Sequence, residues 1–342
     1  MNGRSLRRGF PAAVIAAAVV AVSALLLGRA HGAGATSSAA TGPRQGVVIV
    51  NTNLAYEGNS AAGTGIVLTS SGEVLTNNHV IRGASTIRVT DPSDGLTFSA
   101  KVLGYSVSKD VALLQLHNPR GLKVAAIGNS STARVGQHVT AVGNAGGTGS
   151  LTTVTGRVTG LNQSISVSDD QGGTNRLIGL IESNAPLEPG DSGGPLLSGG
   201  RVIGLNAAAS SIISYDGPRE GYSIPVNRAV SIAHQIESGR RSTTVHVGPT
   251  AFLGVLIEPP DYPNDSSGAI VQSVLSGSAA ERAGIESGDV ITRAGSRTIS
   301  SGADLRAVML QASPGKQIRL SWTDSVGDTR TATVRPASGP PQ

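Results

Sequence analysis

The sequence predicts an all-β domain of antiparallel sandwich or barrel type, followed by a smaller α+β unit. Three observations carry that prediction. Gly is abundant (46 residues) and aromatics are scarce (3%) in a chain of 342, which favours many short strands and turns over long helices. Between residues 47 and 209, short β-branched runs recur, each closed by a Gly, Ser or Asn turn. After residue 250 the pattern changes to strands mixed with short helical stretches. Hydrophobic residues at 39% and charged residues at 14% are compatible with sizeable cores, and the length fits two domains.

Residues 1–35 read as an export segment. Arg4, Arg7 and Arg8 precede an uncharged run from Pro11 to Leu27, and small-residue cleavage candidates follow at Ala30-His31-Gly32 and Ala33-Gly34-Ala35. The run suits either a cleaved signal peptide or an uncleaved membrane anchor, and both place the body of the protein outside the cytoplasm. Residues 36–46 are a small-residue linker, and residues 47–238 form the first domain. Its expected strands include Val47–Val50, Gly65–Leu68, Ile87–Val89, Val111–Leu116, Val139–Val142, Leu177–Ile181 and Val202–Leu205. A helix opens at Pro225-Val226-Asn227 and ends at Gly239, the residue type that best closes a helix. Residues 239–250 are read as an interdomain linker and 251–336 as the second domain. That domain has strands at Phe252–Ile257, Ala269–Val274, Val290–Ile291, Gln317–Ser321 and Arg330–Val334, and helices at Ala279–Ala283 and Gly302–Ala312. Residues 337–342 are expected to be a disordered tail.

Charge and cysteine content exclude several functions. The net charge of +5 comes mostly from the four arginines of the first 35 residues, leaving 23 basic against 22 acidic residues beyond them. A nucleic-acid binder would carry its basic footprint on the folded part. With no Cys, there is no disulfide framework, no Cys-ligated metal and no thiol nucleophile.

The most specific segment is Pro189-Gly190-Asp191-Ser192-Gly193-Gly194-Pro195. A Ser oxygen becomes a useful nucleophile only when a base removes its proton and donors stabilise the resulting oxyanion. Flanking glycines let the backbone turn tightly, and the N–H groups of Gly190 and Ser192 are the natural donors. Of the six histidines, His79 stands out at a strand end in Thr76-Asn77-Asn78-His79-Val80. His31, His117, His138, His234 and His246 read as solvated or structural. An orienting carboxylate should sit in an apolar setting, as Asp110 does at the head of Val111-Ala112-Leu113-Leu114. Asp91, Asp94, Asp169, Asp170 and Asp216 read as solvated loop residues.

His79, Asp110 and Ser192 occur in the order of trypsin-like serine proteases. The strings Thr-Asn-Asn-His-Val, Asp-Val-Ala-Leu-Leu and Gly-Asp-Ser-Gly-Gly-Pro resemble the HtrA (high-temperature-requirement) family, as do Gly63-Thr64-Gly65, Ala141-Val142-Gly143-Asn144 and Gly221-Tyr222-Ser223-Ile224-Pro225. The second domain resembles a PDZ domain through Phe252-Leu253-Gly254-Val255, Ser278-Ala279-Ala280, Ala283-Gly284-Ile285 and Gly288-Asp289-Val290-Ile291. The likeness is nearest to secreted actinobacterial members of the PepA type. It implies a chymotrypsin-like pair of six-stranded antiparallel β-barrels followed by a small α+β PDZ domain. It also implies His79 as general base, Asp110 as its orienting acid, Ser192 as nucleophile, and no cofactor or metal. The PDZ resemblance implies that Phe252, Leu253, Gly254 and Val255 take a C-terminal carboxylate of an apolar peptide. Substrates would be unfolded polypeptides, and a homotrimer is the family expectation, although Tyr56 is the one aromatic near the start of the domain.

Two departures stand out. Asp191 occupies a position that is Asn in most HtrA proteins, and Asn184 one that is usually Asp. The family's primary pocket is floored by the residue six before the nucleophile, here Pro186, and walled by Leu205 and Ala207. That pocket suits small aliphatic residues such as Val, Ala or Leu rather than Arg or Lys. The principal reading is a secreted or envelope serine endopeptidase of protein quality control. The alternative is a peptide-binding holdase with slow or conditional proteolysis.

Overall fold

The computed structural model describes residues 42–55, 58–168, 174–209, 220–258 and 267–342. The export segment, Tyr56, Asp169, Asp170 and Asp216 lie outside these residues.

The first barrel is built from β1 (Val47–Leu54), β2 (Asn59–Val67), β3 (Glu73–Thr76), β4 (Thr86–Thr90), β5 (Thr97–Ser106) and β6 (Val111–Leu116). The one-turn helix α1 (Asn78–Ile81) follows β3, and the pairing of β5 with β6 closes the ring. The second barrel closes in the order β10-β11-β12-β9-β8-β7. Its strands are β7 (His138–Gly143), β8 (Thr152–Ser168), β9 (Thr174–Ser183), β10 (Pro195–Ser198), β11 (Arg201–Ala209) and β12 (Gly221–Pro225). All pairings within both barrels are antiparallel, as expected from the recurring short runs.

Strand periodicity explains how two barrels share one core. Val47 to Val50 are four consecutive buried residues, which a one-sided strand would not show. Side chains alternate across a strand, so Val48 and Val50 fill the first barrel while Val47 and Ile49 face the other way. β6 repeats the pattern, with Ala112, Leu114 and Leu116 inside and Val111 and Leu113 outside. The outward set packs with Val142, Leu180, Leu205 and Ile224 of the second barrel and with the apolar face of α2 (Val226–Glu237). A separate cluster including Val139, Val158, Ile181 and Leu196 fills the second barrel. Each fully buried aliphatic side chain contributes about 1.5–3 kcal/mol of transfer free energy, so this shared layer fixes how the barrels face each other.

The region expected to be a loose linker is partly strand. β13 (His246–Val247) pairs with β5 of the first barrel, and β14 (Thr250–Phe252) follows. The second domain contains β15 (Val255–Ile257), β16 (Ala269–Val274), α3 (Ala279–Arg282), β17 (Val290–Ala294), β18 (Arg297–Thr298), α4 (Gly302–Gln311), β19 (Ile318–Thr323) and β20 (Thr329–Val334). The expected single strand Phe252–Ile257 is broken at Leu253-Gly254, where Gly254 has φ 84°, a left-handed turn that suits Gly. Residues 337–342 are not a disordered tail: β21 (Ala337–Gly339) pairs antiparallel with β14. Among the described residues, no helix is long and apolar enough to cross a membrane.

Candidate active site

The first barrel supplies His79 and Asp110. β3 ends at Thr76, Asn77 is extended, and His79 sits on α1. Asp110 precedes β6 with φ 53°, a left-handed conformation that costs a non-glycine residue on the order of 1 kcal/mol or more. Its contacts over-determine that conformation. Oδ1 accepts the His79 backbone N–H at 3.0 Å, Oδ2 lies 2.8 Å from His79 Nδ1, and the Asp110 carbonyl accepts from Asn77 Nδ2 at 2.8 Å. The Asp110 side chain is 8% exposed and that of His79 44%, so the carboxylate is shielded while the imidazole reaches solvent. Facing a carboxylate, Nδ1 carries the proton, which makes Nε2 the basic nitrogen.

The second barrel supplies Ser192, on the turn between β9 and β10. This turn is held mainly through its backbone. Thr64 of β2 donates its N–H to the Ser192 carbonyl at 2.8 Å and its hydroxyl to the Gly190 carbonyl at 2.8 Å. The same hydroxyl accepts the Asn144 N–H at 2.9 Å. On the other side, Gly193 N–H donates to the Asn206 carbonyl and Asn206 N–H to the Gly194 carbonyl, each at 2.8 Å. Gly193 has φ 86°, and a Cβ there would lie 2.0 Å from the Thr64 carbonyl; Gly190 has φ 97°, and a Cβ would lie 2.1 Å from the Asn144 carbonyl. Both glycines are therefore required by the turn. Among the described residues, the N–H groups of Gly190 and Ser192 have no acceptor.

The two halves meet across Gly63, where a Cβ would lie 2.7 Å from Val80 and 3.2 Å from the Ser192 carbonyl. The Ser192 hydroxyl itself donates to the Ala207 carbonyl at 3.4 Å, a long bond.

Asp191 points into the protein. It is buried, Oδ2 accepts the Glu188 N–H at 2.9 Å, and Oδ1 has no partner among the described residues. Burial pushes its carboxyl above the usual carboxylate range; the Glu188 backbone bond opposes that, and the Glu188 charge adds to it. The residues assigned to the primary pocket separate. Pro186 is exposed and Ala207 nearly buried beside Ser192, whereas Leu205 is fully buried in the core between the barrels. A side chain with no exposed surface does not wall an open pocket, so Leu205 drops out of that set.

In the second domain, Leu253 is buried in the core and Phe252 is half-buried. β15 is the edge of its sheet, and Leu256 on it is 49% exposed. A groove of about 1080 Å³ runs along Phe252 to Ile257 and past Ala303, Arg306 and Met309 of α4 to Tyr105 of the first barrel. Of the remaining histidines among the described residues, His117, His138 and His234 are exposed and His246 is buried. Asp91, expected in solvent, is also buried, with Oδ1 accepting the Ser93 N–H at 2.9 Å. Sequence reasoning missed the supporting residues Thr64, Asn77 and Asn206. Thr64 and Asn77 stand inside the quoted strings Gly63-Thr64-Gly65 and Thr76-Asn77-Asn78-His79-Val80, and Asn206 lies between Leu205 and Ala207; those positions were the one available signal.

The model of the trypsin-like peptidase domain matches residues 63–205, and that of the PDZ domain matches residues 251–334. Serine protease PepD of Mycobacterium tuberculosis is 31% identical over 84% of this chain and 63% of its own length. Serine protease Do-like HtrA of Bacillus subtilis is 32% identical over 73% of this chain and 58% of its own. Periplasmic pH-dependent serine endoprotease DegQ of Escherichia coli is 35% identical over 75% of this chain and 55% of its own. The chain thus spans about six-tenths of the length of these curated relatives. With two closed six-stranded barrels followed by a PDZ domain, and these relatives, the chain belongs to the HtrA family.

Proposed function

We propose that this chain is an extracytoplasmic serine endopeptidase that hydrolyses unfolded polypeptides through His79, Asp110 and Ser192. The observation that carries the reading is the His79–Asp110 clamp, 2.8 Å between Nδ1 and Oδ2, set across Gly63 from the Ser192 turn. In the proposed reaction, His79 Nε2 takes the Ser192 proton as the oxygen attacks the scissile carbonyl. Asp110 stabilises the imidazolium, and the N–H groups of Gly190 and Ser192 receive the oxyanion. His79 then gives its proton to the leaving amine. Water, deprotonated by His79, releases the acyl group from Ser192. An uncharged Pro186 and the small Ala207 support cleavage after small aliphatic residues. The edge strand β15 and the Leu253–Val255 turn support capture of an apolar C-terminus by strand addition.

The export segment and the periplasmic relatives support a location outside the cytoplasm. The test compares wild type with Ser192→Ala on a labelled unfolded protein, with and without a peptide ending in Val. Hydrolysis by wild type alone is expected; hydrolysis that persists in Ser192→Ala contradicts the assignment. Peptide binding without hydrolysis in any condition would favour the holdase reading.

A further inference from the structure

The helix that carries His79 is anchored on one side by Val80 and Ile81 in the first-barrel core and by the His79 N–H on Asp110, but it is weakly held at its ends. It is a single turn, and Asn77, its N-cap, makes no side-chain capping bond. The Asn77 amide is engaged with the Asp110 carbonyl instead. Isolated turns of this length are unstable because nucleation fixes several residues for one hydrogen bond.

Further support comes from Pro341 and Gln342. A main-chain oxygen of Gln342 accepts from Asn78 Nδ2 at 3.1 Å, and the Pro341 carbonyl accepts the Gly83 N–H at 2.9 Å. Main-chain oxygens of two consecutive residues thus bracket α1, one at its first residue and one just past its last turn. The Gln342 N–H donates to the Tyr105 hydroxyl at 3.1 Å, which in turn lies 2.9 Å from Thr250 Oγ1. Burial pushes the Tyr105 phenol up, which keeps it neutral and able to donate to Thr250. Upstream, β21 is fastened to β14 with Gly339 pressed on Phe252, where a Cβ would lie 2.2 Å from the Phe252 Cβ. Pro340 and Pro341 between these anchor points restrict the backbone of the span. A further tie fixes the domains nearby: His246 Nδ1 lies 2.8 Å from the Leu310 carbonyl at the end of α4.

We infer that residues 337–342 are a strap that positions His79 by holding both ends of α1 against the PDZ-domain edge. Asn78, Tyr105 and Gly339 are its positioning residues. The inference rests on the reading of His79 as the general base. Slackening the strap leaves the substrate-contacting surfaces in place but lets the imidazole drift from Asp110 and Ser192.

The test uses the full chain with Gly339→Val, which forces β21 off Phe252 without touching α1, and Tyr105→Phe as a milder variant. Exchange of the Gly83 amide reports strap docking, and the downfield His79 Nδ1–H resonance reports the pairing with Asp110. In Gly339→Val the Gly83 amide should lose protection, the resonance should broaden, and kcat should fall about tenfold with KM within about twofold. Tyr105→Phe should move the same readouts in the same direction by about threefold. Faster Gly83 exchange with unchanged kcat and resonance overturns the inference. So does an unprotected Gly83 amide in wild type, or a rise in KM alone. If wild-type hydrolysis survives Ser192→Ala, the protease reading fails separately, and the Gly83 and His79 signals still decide whether the strap positions the histidine.

Discussion

The two barrels contribute to the candidate site in different ways. The first presents an acid and a base already joined through side chains: Asp110 holds both the His79 ring and its backbone N–H. The second presents a nucleophile held through its backbone, with Thr64 and Asn206 gripping the 190–194 turn while the Ser192 hydroxyl donates to Ala207. The acid–base half is therefore preorganised down to its reacting atoms, and the nucleophile half only down to its main chain.

Removing either reacting group tests whether the halves act as a unit. Ser192→Ala and His79→Ala should each lower kcat about 10⁵-fold or more, and the double variant should be no worse than either. Losses that multiply in the double variant would mean two independent contributions. A thermal melt of each variant close to wild type separates this from unfolding.

Gly193→Ala probes the backbone hold of the nucleophile half. The added Cβ meets the Thr64 carbonyl at a φ of 86°, so the turn must move. We expect about a 10²-fold loss of kcat, the size of a missing oxyanion donor, with a lower melting temperature. Retained activity would show that the turn is not the rigid element described here.

Thr64→Val and Asn77→Ala compare the supports of the two halves directly. Thr64→Val keeps shape but loses the bonds to Gly190 and Asn144, and Asn77→Ala loses the bond to Asp110. Each should cost about 1–2 kcal/mol of stability in a denaturant titration and lower kcat about tenfold. An effect of Thr64→Val on KM alone would place it in substrate binding instead.

Asp191→Asn gives the smallest effect, and its sign depends on pH. Burial raises the folded carboxyl above its unfolded value. The group therefore favours folding while it is protonated, and that contribution is lost as pH rises through the folded value. Asp191→Asn should melt higher than wild type at about pH 7.5, with the difference narrowing toward about pH 3. A difference that widens on acidification would contradict the burial assignment.

Much of this was legible in the sequence because it is local. The β-branched runs and the α2 helix with its Gly239 stop lie in short, strongly patterned strings; the paired barrels and the PDZ domain followed from the family resemblance of such strings, and His79, Asp110 and Ser192 were candidates read from them. What escaped depends on distant partners. Thr64 lies 126 positions from Gly190, and Asn78 lies 264 from Gln342, with no periodicity linking either pair. Residues 337–342 have a disordered composition and become ordered only because β14 and α1 offer them partners. Leu205 could be assigned to a pocket because neighbours along a strand face opposite sides, and the β11 bulge between Asn206 and Ala208 shifts which side is which.

The most direct test of the central claim is covalent labelling with a fluorophosphonate, read by mass spectrometry of the intact chain and its peptides. An alkyl phosphonofluoridate reacts with a serine only when a base and an oxyanion hole act on it together. One adduct per chain is expected, on Ser192, formed far more slowly in His79→Ala and in Gly193→Ala. An adduct on another residue, or Ser192 labelling that is indifferent to His79, would contradict it.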